Sequence, residues 1–393
     1  MSLLQINLSP DLLKLRESGH NISVSNGGYL VIRDVPYVNA AKMICQGILV
    51  SPLDLAGDRT ASPQDHKMMF CGEFPCHADG TAMEELRLNS TATKLEEGLE
   101  INHTFSRKPV GRQYADYHEK VLTYVSLISR EANAIDPNAT ALTFQVVEPE
   151  DPDYPFNYLD TASARAEINI ISKKLAADKI AIIGLGGTGS YVLDLIAKTP
   201  VREIHMFDAD KFSTHNAFRA PGAPSVEELR EQPLKVDHHS SRYSKMHRHI
   251  TIHNADINSS NVDSLRDMTF VFLCIDRGQV KKLIVDKLEE FFIPFIDVGI
   301  GLYKRGDALG GKLRVTTSLP GRRESARENI PLSDDDALNE YDKNIQIADL
   351  NALNACLAVI KWKKLRGFYL DDEHEQLSTY TIAFNLLVSE DVQ

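Results

Sequence analysis

Hydrophobic and polar positions change their period several times along this chain. Lys179-Ile-Ala-Ile-Ile183 is an unbroken apolar run after one lysine, the pattern of a strand buried on both faces of a parallel sheet. Gly184, Gly186, Gly187 and Gly189 follow at once, and Ser190 to Ala197 then carries apolar residues at helical spacing. Arg202–Phe207, Ile250–His253 and Thr269–Ile275 predict further strands. Lys235–Tyr243 and Ile347–Lys364 predict helices. Asp160–Lys174 predicts an approach helix with Ala162, Ala164, Ile168, Ile171 and, just beyond it, Leu175 available to pack. Strands alternating with helices make this region an α/β, doubly wound, mostly parallel Rossmann-like sheet.

The N-terminal third reads differently. Leu12–Ser18 predicts a short first helix ended by Gly19. Ile22–Val24 and Tyr29–Arg33 flank Asn26-Gly-Gly28 and predict a hairpin. The pattern weakens from Pro52 to Gly98, Tyr114–Asn133 is periodic as a helix, and Ala141–Val147 alternates as a strand. Pro149-Glu-Asp-Pro-Asp-Tyr-Pro155 has the composition of a linker. The expected organisation is a separate α+β N-terminal domain over 1–150, a linker over 151–159, and the α/β domain over 160–393.

Composition narrows the function classes. The chain has 393 residues, 43% hydrophobic and 25% charged, with a formal net charge of −12. That balance argues against nucleic acid or an anionic membrane as a general partner. The start Met1-Ser-Leu-Leu-Gln-Ile-Asn7 lacks the basic, apolar pattern of a signal peptide, and no stretch is long and apolar enough to span a bilayer. Cys45, Cys71, Cys76, Cys274 and Cys356 form no Cys-x-x-Cys, which suits reduced thiols and a cytoplasmic setting. His66, Cys71, Cys76 and His77 fit no ordinary zinc spacing, and neighbouring Cys76 and His77 do not easily face one ion. They are taken as packed or surface residues. Cys274 and Cys356 fall in apolar stripes and are expected in the core, with Trp362 covering its edge.

The glycine run is where chemistry is expected. A strand that passes through glycines into a helix lets backbone N–H groups approach a phosphate, beside the positive end of the helix dipole. Asp208-Ala-Asp210 ends the next strand, where Asp210 suits a ribose hydroxyl and Asp208 suits the shaping of the turn. Thus far an NAD- or FAD-dependent oxidoreductase fits equally well. Asn216-x-x-Arg219, Lys235 and Asp276 change the picture. An arginine fork, a second cation and a carboxylate able to hold Mg²⁺ are parts that a triphosphate needs and a nicotinamide does not.

Taken in order, Gly184-Leu-Gly-Gly-Thr-Gly189, Asp208-Ala-Asp210, Asn216-x-x-Arg219, Lys235, Cys274-Ile-Asp276 and the late Asn354-Ala355 helix resemble the ThiF/MoeB family. That family includes the ubiquitin-activating enzymes and adenylates the C-terminal carboxylate of a small carrier protein. The resemblance covers roughly residues 160–320. It implies that Gly184, Gly186, Gly187 and Gly189 cradle the phosphates of ATP, and that Asp208 and Asp210 serve the ribose side. It implies that Asn216, Arg219 and Lys235 hold the triphosphate, and that Asp276 binds Mg²⁺. Arg165 resembles the arginine that reaches the partner subunit's ATP, so a homodimer is implied. The implied partner is a ubiquitin-like or sulfur-carrier-like protein with a C-terminal glycine, with a conjugating-enzyme-like protein beyond it. The loop Gly299–Gly301 through Gly310-Gly311 would be the path of its tail.

The chain also departs from the family. No cysteine lies between Ile275 and Ala355, so neither a structural zinc nor the usual catalytic thiol is expected in this domain. Ala220 stands where the family has glutamine after Asn-x-x-Arg, and Arg277 where it has asparagine. Pro331-Leu-Ser333 resembles the Pro-x-Cys-Thr of ubiquitin-activating enzymes, which puts a serine at the thiol's place. Ser333 either forms an oxyester, helped by one of Asp334, Asp335 and Asp336, or caps the helix after it, and the cap is the more economical reading. The extra N-terminal domain points to a bacterial ubiquitin-like conjugation operon with an antiviral role. A degenerate member that only binds nucleotide stays open as an alternative.

Overall fold

The computed structural model describes residues 2–146, 148–149, 151–166, 168–333 and 345–390. They form two compact units, Met1–Glu150 and Asp151–Gln393. In the first, six antiparallel strands run in the order Asn21–Val24, Tyr29–Val38, Ile44–Pro52, Lys67–Cys71, His103–Ser106 and Arg87–Asn89. The helix Tyr117–Ile135 begins at Asp116, whose carboxylate accepts the N–H of Glu119. Its Tyr117, Val121, Tyr124 and Ile128 pack with Leu30, Ile32, Leu49 and Phe70 from the sheet. Two helices, Ser2–Leu8 and Pro10–Glu17, stand where one was expected.

The strand expected at Ala141–Val147 does not form. Thr143 and Phe144 both donate their N–H to the carbonyl of Gly19, and Phe144 has a φ of 48°. The chain therefore turns back on itself, with Leu142 making a single bridge to His20. Alternation alone cannot make a strand without a neighbour to take its ladder. Val147 lies outside the described residues.

The second unit contains the predicted α/β fold. Its strands β1 (Lys179–Ile183), β2 (Glu203–Phe207), β3 (Ile250–His253), β4 (Phe270–Leu273), β5 (Phe295–Arg305), β6 (Ala308–Ser318), β7 (Leu377–Thr381) and β8 (Leu386–Glu390) lie in the order β3-β2-β1-β4-β5-β6-β7-β8. The first five pair in parallel and the last three are added antiparallel. Alternate residues of β1 feed two cores. Ile180 and Ile182 pack with helices α1 (Gly187–Ile196), α2 (Lys235–Tyr243) and α4 (Ala348–Leu365) on one face. Ala181 and Ile183 pack with α3 (Gly278–Glu290) on the other. A period of two, covered on both sides, is why the strand reads as continuously apolar.

Three expectations are corrected here. The approach segment is two short helices, Thr161–Arg165 and Asn169–Ser172, followed by a 3₁₀ turn Lys173–Leu175. Among the described residues its apolar side chains share no buried face, for Ile170 and Ile171 are exposed and only Leu175 is inside. Trp362 is wholly buried rather than at an edge, and its indole N–H donates to Asp178 at 3.0 Å. Gly299–Gly311 is no loop: β5 and β6 form a long hairpin with Gly299 opposite Arg314 and Leu302 opposite Gly311. Residues 154–157 pack on this unit, with Phe156 buried and the Asn157 N–H donating to Met246 O at 2.8 Å.

Candidate functional site

The strand order reverses at β1, between β2 and β4, and a cleft of about 360 Å³ opens at the carboxyl ends of these strands. Gly184, Gly186, Gly187 and Thr188 form one wall, Asp210, Arg219 and Lys235 a second, and Cys274, Asp276, Gly299 and Arg314 a third. Gly184 takes a φ of 88°, and its N–H donates to Phe207 O at 2.9 Å, tying the turn to β2. Helix α1 begins at Gly187, three residues before the periodicity predicts. A Cβ at Gly186 would meet nothing within 4 Å, so the space before the helix N-terminus is open. Gly189 does not line the cleft. A Cβ there would sit 1.9 Å from Gly184 O, so this glycine lets the helix approach the strand.

Asp208 braces the turn. Its carboxylate accepts the N–H of Leu185 at 2.7 Å and of Asp210 at 2.9 Å, and the Lys235 ammonium lies 3.3 Å away. Lys235 is buried, with Nζ 2.7 Å from Asp210. That hydrogen bond, with Arg277 and Arg219 near by, holds the Asp210 carboxyl below its ordinary range. Arg219 is half-buried, and its Nε has no hydrogen-bond partner. Burial lowers its proton affinity while Asp276 and Asp210 oppose the shift. Asn216 stands behind this wall rather than on the cleft. Its Oδ1 accepts the Ser213 N–H at 2.9 Å, and its buried Nδ2 is unpartnered.

Cys274 packs against the core, as expected, and also lines the cleft, and burial pushes its thiol pKa up. Arg165 ends its helix, and its side chain lies outside the described residues. Ser333 is exposed, with its backbone against Gly278 at the start of α3, while Pro331 reaches the cleft. Asp334, Asp335 and Asp336 lie outside the described residues, as does any helix that Ser333 would cap.

Several supporting contacts were not foreseen, although the Asn354-Ala355 helix was part of the family resemblance. Asn351 of α4 lies under Gly187, accepts the Thr188 hydroxyl at 3.1 Å and donates to Arg219 O at 3.4 Å. Asn354 donates to Gly299 O at 3.2 Å. Two asparagines three apart in an apolar helical stripe were the available signal. Arg277 pairs with Asp256 at 3.1 Å, and Asp297 is buried between Lys281 and Arg314. Nothing local in the sequence marks those pairs.

A resident metal cage is not built here: the described residues contain no group of three or more His, Cys, Asp or Glu placed to hold an ion. The Asp276 carboxylate, one of several aspartates on the cleft, fits Mg²⁺ held chiefly by water and substrate phosphates.

The fold resembles several solved structures at low identity. PaaA is 16% identical with a TM-score of 0.45, covering 57% of this chain and 76% of that one. E. coli MccB with ATP is 17% identical with a TM-score of 0.46, over 61% and 73%. E. coli MccB with MccA-N7isoASN is 17% identical with a TM-score of 0.43, over 56% and 66%. No curated protein matches the sequence. The family model for the domain of unknown function DUF6791 matches residues 10–161, and the ThiF family model matches residues 155–386, more than half of the chain. The chain belongs to the ThiF family of adenylyltransferases and carries a DUF6791 domain ahead of that fold.

Proposed function

We propose that the cleft binds ATP and that the protein adenylates the C-terminal carboxylate of a ubiquitin-like or sulfur-carrier-like protein. The observation that carries this reading is Arg219. A buried guanidinium N–H without a partner, on a wall shared with Lys235 and facing Asp276, is a costly arrangement unless an anion completes it. Triphosphate oxygens at a helix N-terminus would do so.

Gly184, Gly186 and Gly187 would cradle the phosphates and Asp210 would take the ribose. Asn216 acts from behind the wall by fixing the turn that carries Arg219. Asp276 would hold Mg²⁺, which supplies charge neutralisation at the phosphates when bound. The carboxylate oxygen attacks the α-phosphorus, forming an O–P bond. The bond to the β-phosphate oxygen breaks, and pyrophosphate leaves with the electron pair. The protein's part is alignment and charge compensation by Arg219 and Lys235. Homodimerisation with Arg165 acting across subunits and a setting in antiviral conjugation belong to the same reading, with oxyester formation at Ser333 as its less economical branch beside a helix cap.

Purified protein with candidate glycine-ended carriers should catalyse carrier-dependent exchange of labelled pyrophosphate into ATP. Arg219→Ala should lower that exchange at least roughly 100-fold, the scale of losing charge-assisted hydrogen bonds in a desolvated site. ATP binding with no exchange for any carrier would leave a nucleotide-binding module, and binding of NAD in preference to ATP would sink the proposal. For Ser333, a covalent carrier adduct that survives Ser333→Ala excludes the nucleophile.

A further inference from the structure

A buried carboxylate needs one cation, and Asp297 has two. Its side chain is wholly buried, with Lys281 Nζ 2.7 Å from Oδ1 and Arg314 Nη2 2.6 Å from Oδ2. Lys281 is itself buried, so it and Asp297 already make a neutral pair. The charge on Arg314 is surplus. Its other Nη donates to the Thr316 hydroxyl, so the fork is clamped on two sides. Both cations line the cleft, but the Arg314 side chain keeps 21% of its surface where Lys281 keeps 3%. Gly299 makes the room: a Cβ there would come within 2.9 Å of Nη2. A rigid, incompletely neutralised guanidinium therefore sits beyond Asp276 in the order of strands, on the side of the cleft away from Asp210 and Lys235.

From this geometry we infer that Arg314 is the docking residue for the substrate's free C-terminal carboxylate, with Asp297 and Lys281 as positioning residues that fix its fork. The inference rests on the adenylation reading and adds to it where the second substrate is held. A carboxylate that enters the cleft loses hydration, and a clamped guanidinium compensates that loss at little entropic cost. One carboxylate oxygen is held while the other attacks the α-phosphorus. Once the O–P bond has formed and pyrophosphate has left with the bonding pair, the retained oxygen is a neutral carbonyl. The grip of Arg314 then weakens, which favours handing the acyl group onward. A tail that ends in an amide has no charge for this site to recognise.

The test uses the full chain with saturating α,β-methylene-ATP and two probes, acetyl-Gly-Gly as free acid and as amide, titrated by ligand-observed NMR. The free acid should bind at least about tenfold more tightly than the amide. Arg314→Gln should abolish that preference while changing affinity for the nucleotide analogue less than about twofold. Asp297 keeps Lys281 in this variant, so no buried charge is stranded, and circular dichroism checks the fold. Arg314→Lys, which retains the charge but not the fork, should keep part of the preference and decides the matter should the glutamine variant not fold. No acid preference in the wild-type chain, or its survival in Arg314→Gln, overturns the inference. Failure of the analogue to bind would instead count against adenylation, and the acid–amide comparison without nucleotide would still decide the subsite.

Discussion

The glycines of the 184–189 turn look interchangeable as letters and are not so as positions. Gly189→Ala would drive a Cβ to 1.9 Å from Gly184 O and should cost about 1–3 kcal/mol in a urea melt, as overpacking does. Gly186→Ala meets open space and should cost less stability, while weakening ATP binding in a titration, because the methyl would occupy the volume assigned to phosphate. Which glycine faced the open cleft and which faced a neighbouring element was invisible in the sequence, since both depend on where β4 and α4 come to lie. Arg219 and Lys235 were legible because they follow the glycine turn and Asp208-Ala-Asp210 in the order that the family resemblance sets. Lys281, Asp297 and Arg314 were not, because their pairing spans different elements and has no local period. Asp208 stood out as a turn-shaping residue, and the observed brace to Leu185 and Asp210 is that role.

At the scale of elements, period and punctuation carried the reading. The helix Lys235–Tyr243 lies where its spacing predicts, as do the buried strands. The failures came where pattern existed without a neighbour, at 141–147, or without a common buried face, at 160–175. Helix α2 also has a consequence for pH. It buries His239 with both ring nitrogens unpartnered, and burial depresses that pKa to about 3. The unfolded chain takes up the proton below about pH 6.5 and the folded one does not until about pH 3. Stability should therefore fall as pH drops through that window, by about 1.4 kcal/mol per pH unit from this residue. Urea midpoints at pH 7 and pH 5 should converge partly in His239→Phe. In α4, Trp362→Ala should cost about 3–5 kcal/mol, since it empties a fully buried site and removes a donor to Asp178, which keeps Arg366 at 2.7 Å.

For the whole molecule, each unit owns a hydrophobic core, and the division after Glu150 lies inside the stretch 149–155 whose composition reads as a linker. Limited digestion with chymotrypsin should cut first at Phe144, an exposed aromatic just before that break, and mass spectrometry should find two resistant fragments. Early cuts inside either unit would contradict that division. What the N-terminal unit contributes was not legible in the sequence. Its signal is the ordinary one of a sheet packed on a helix, and packing residues carry no mark of what a surface meets.

Thr188 and Asn351, which lock the glycine turn to α4, are 163 residues apart. While the chain is still being made, β1 and α1 emerge from the ribosome long before the helix that seats beneath Gly187. A nascent molecule halted before Ala348 would carry an unfinished cradle and should stay blind to nucleotide. In the proposed reading, nucleotide capture thus waits until α4 has been made.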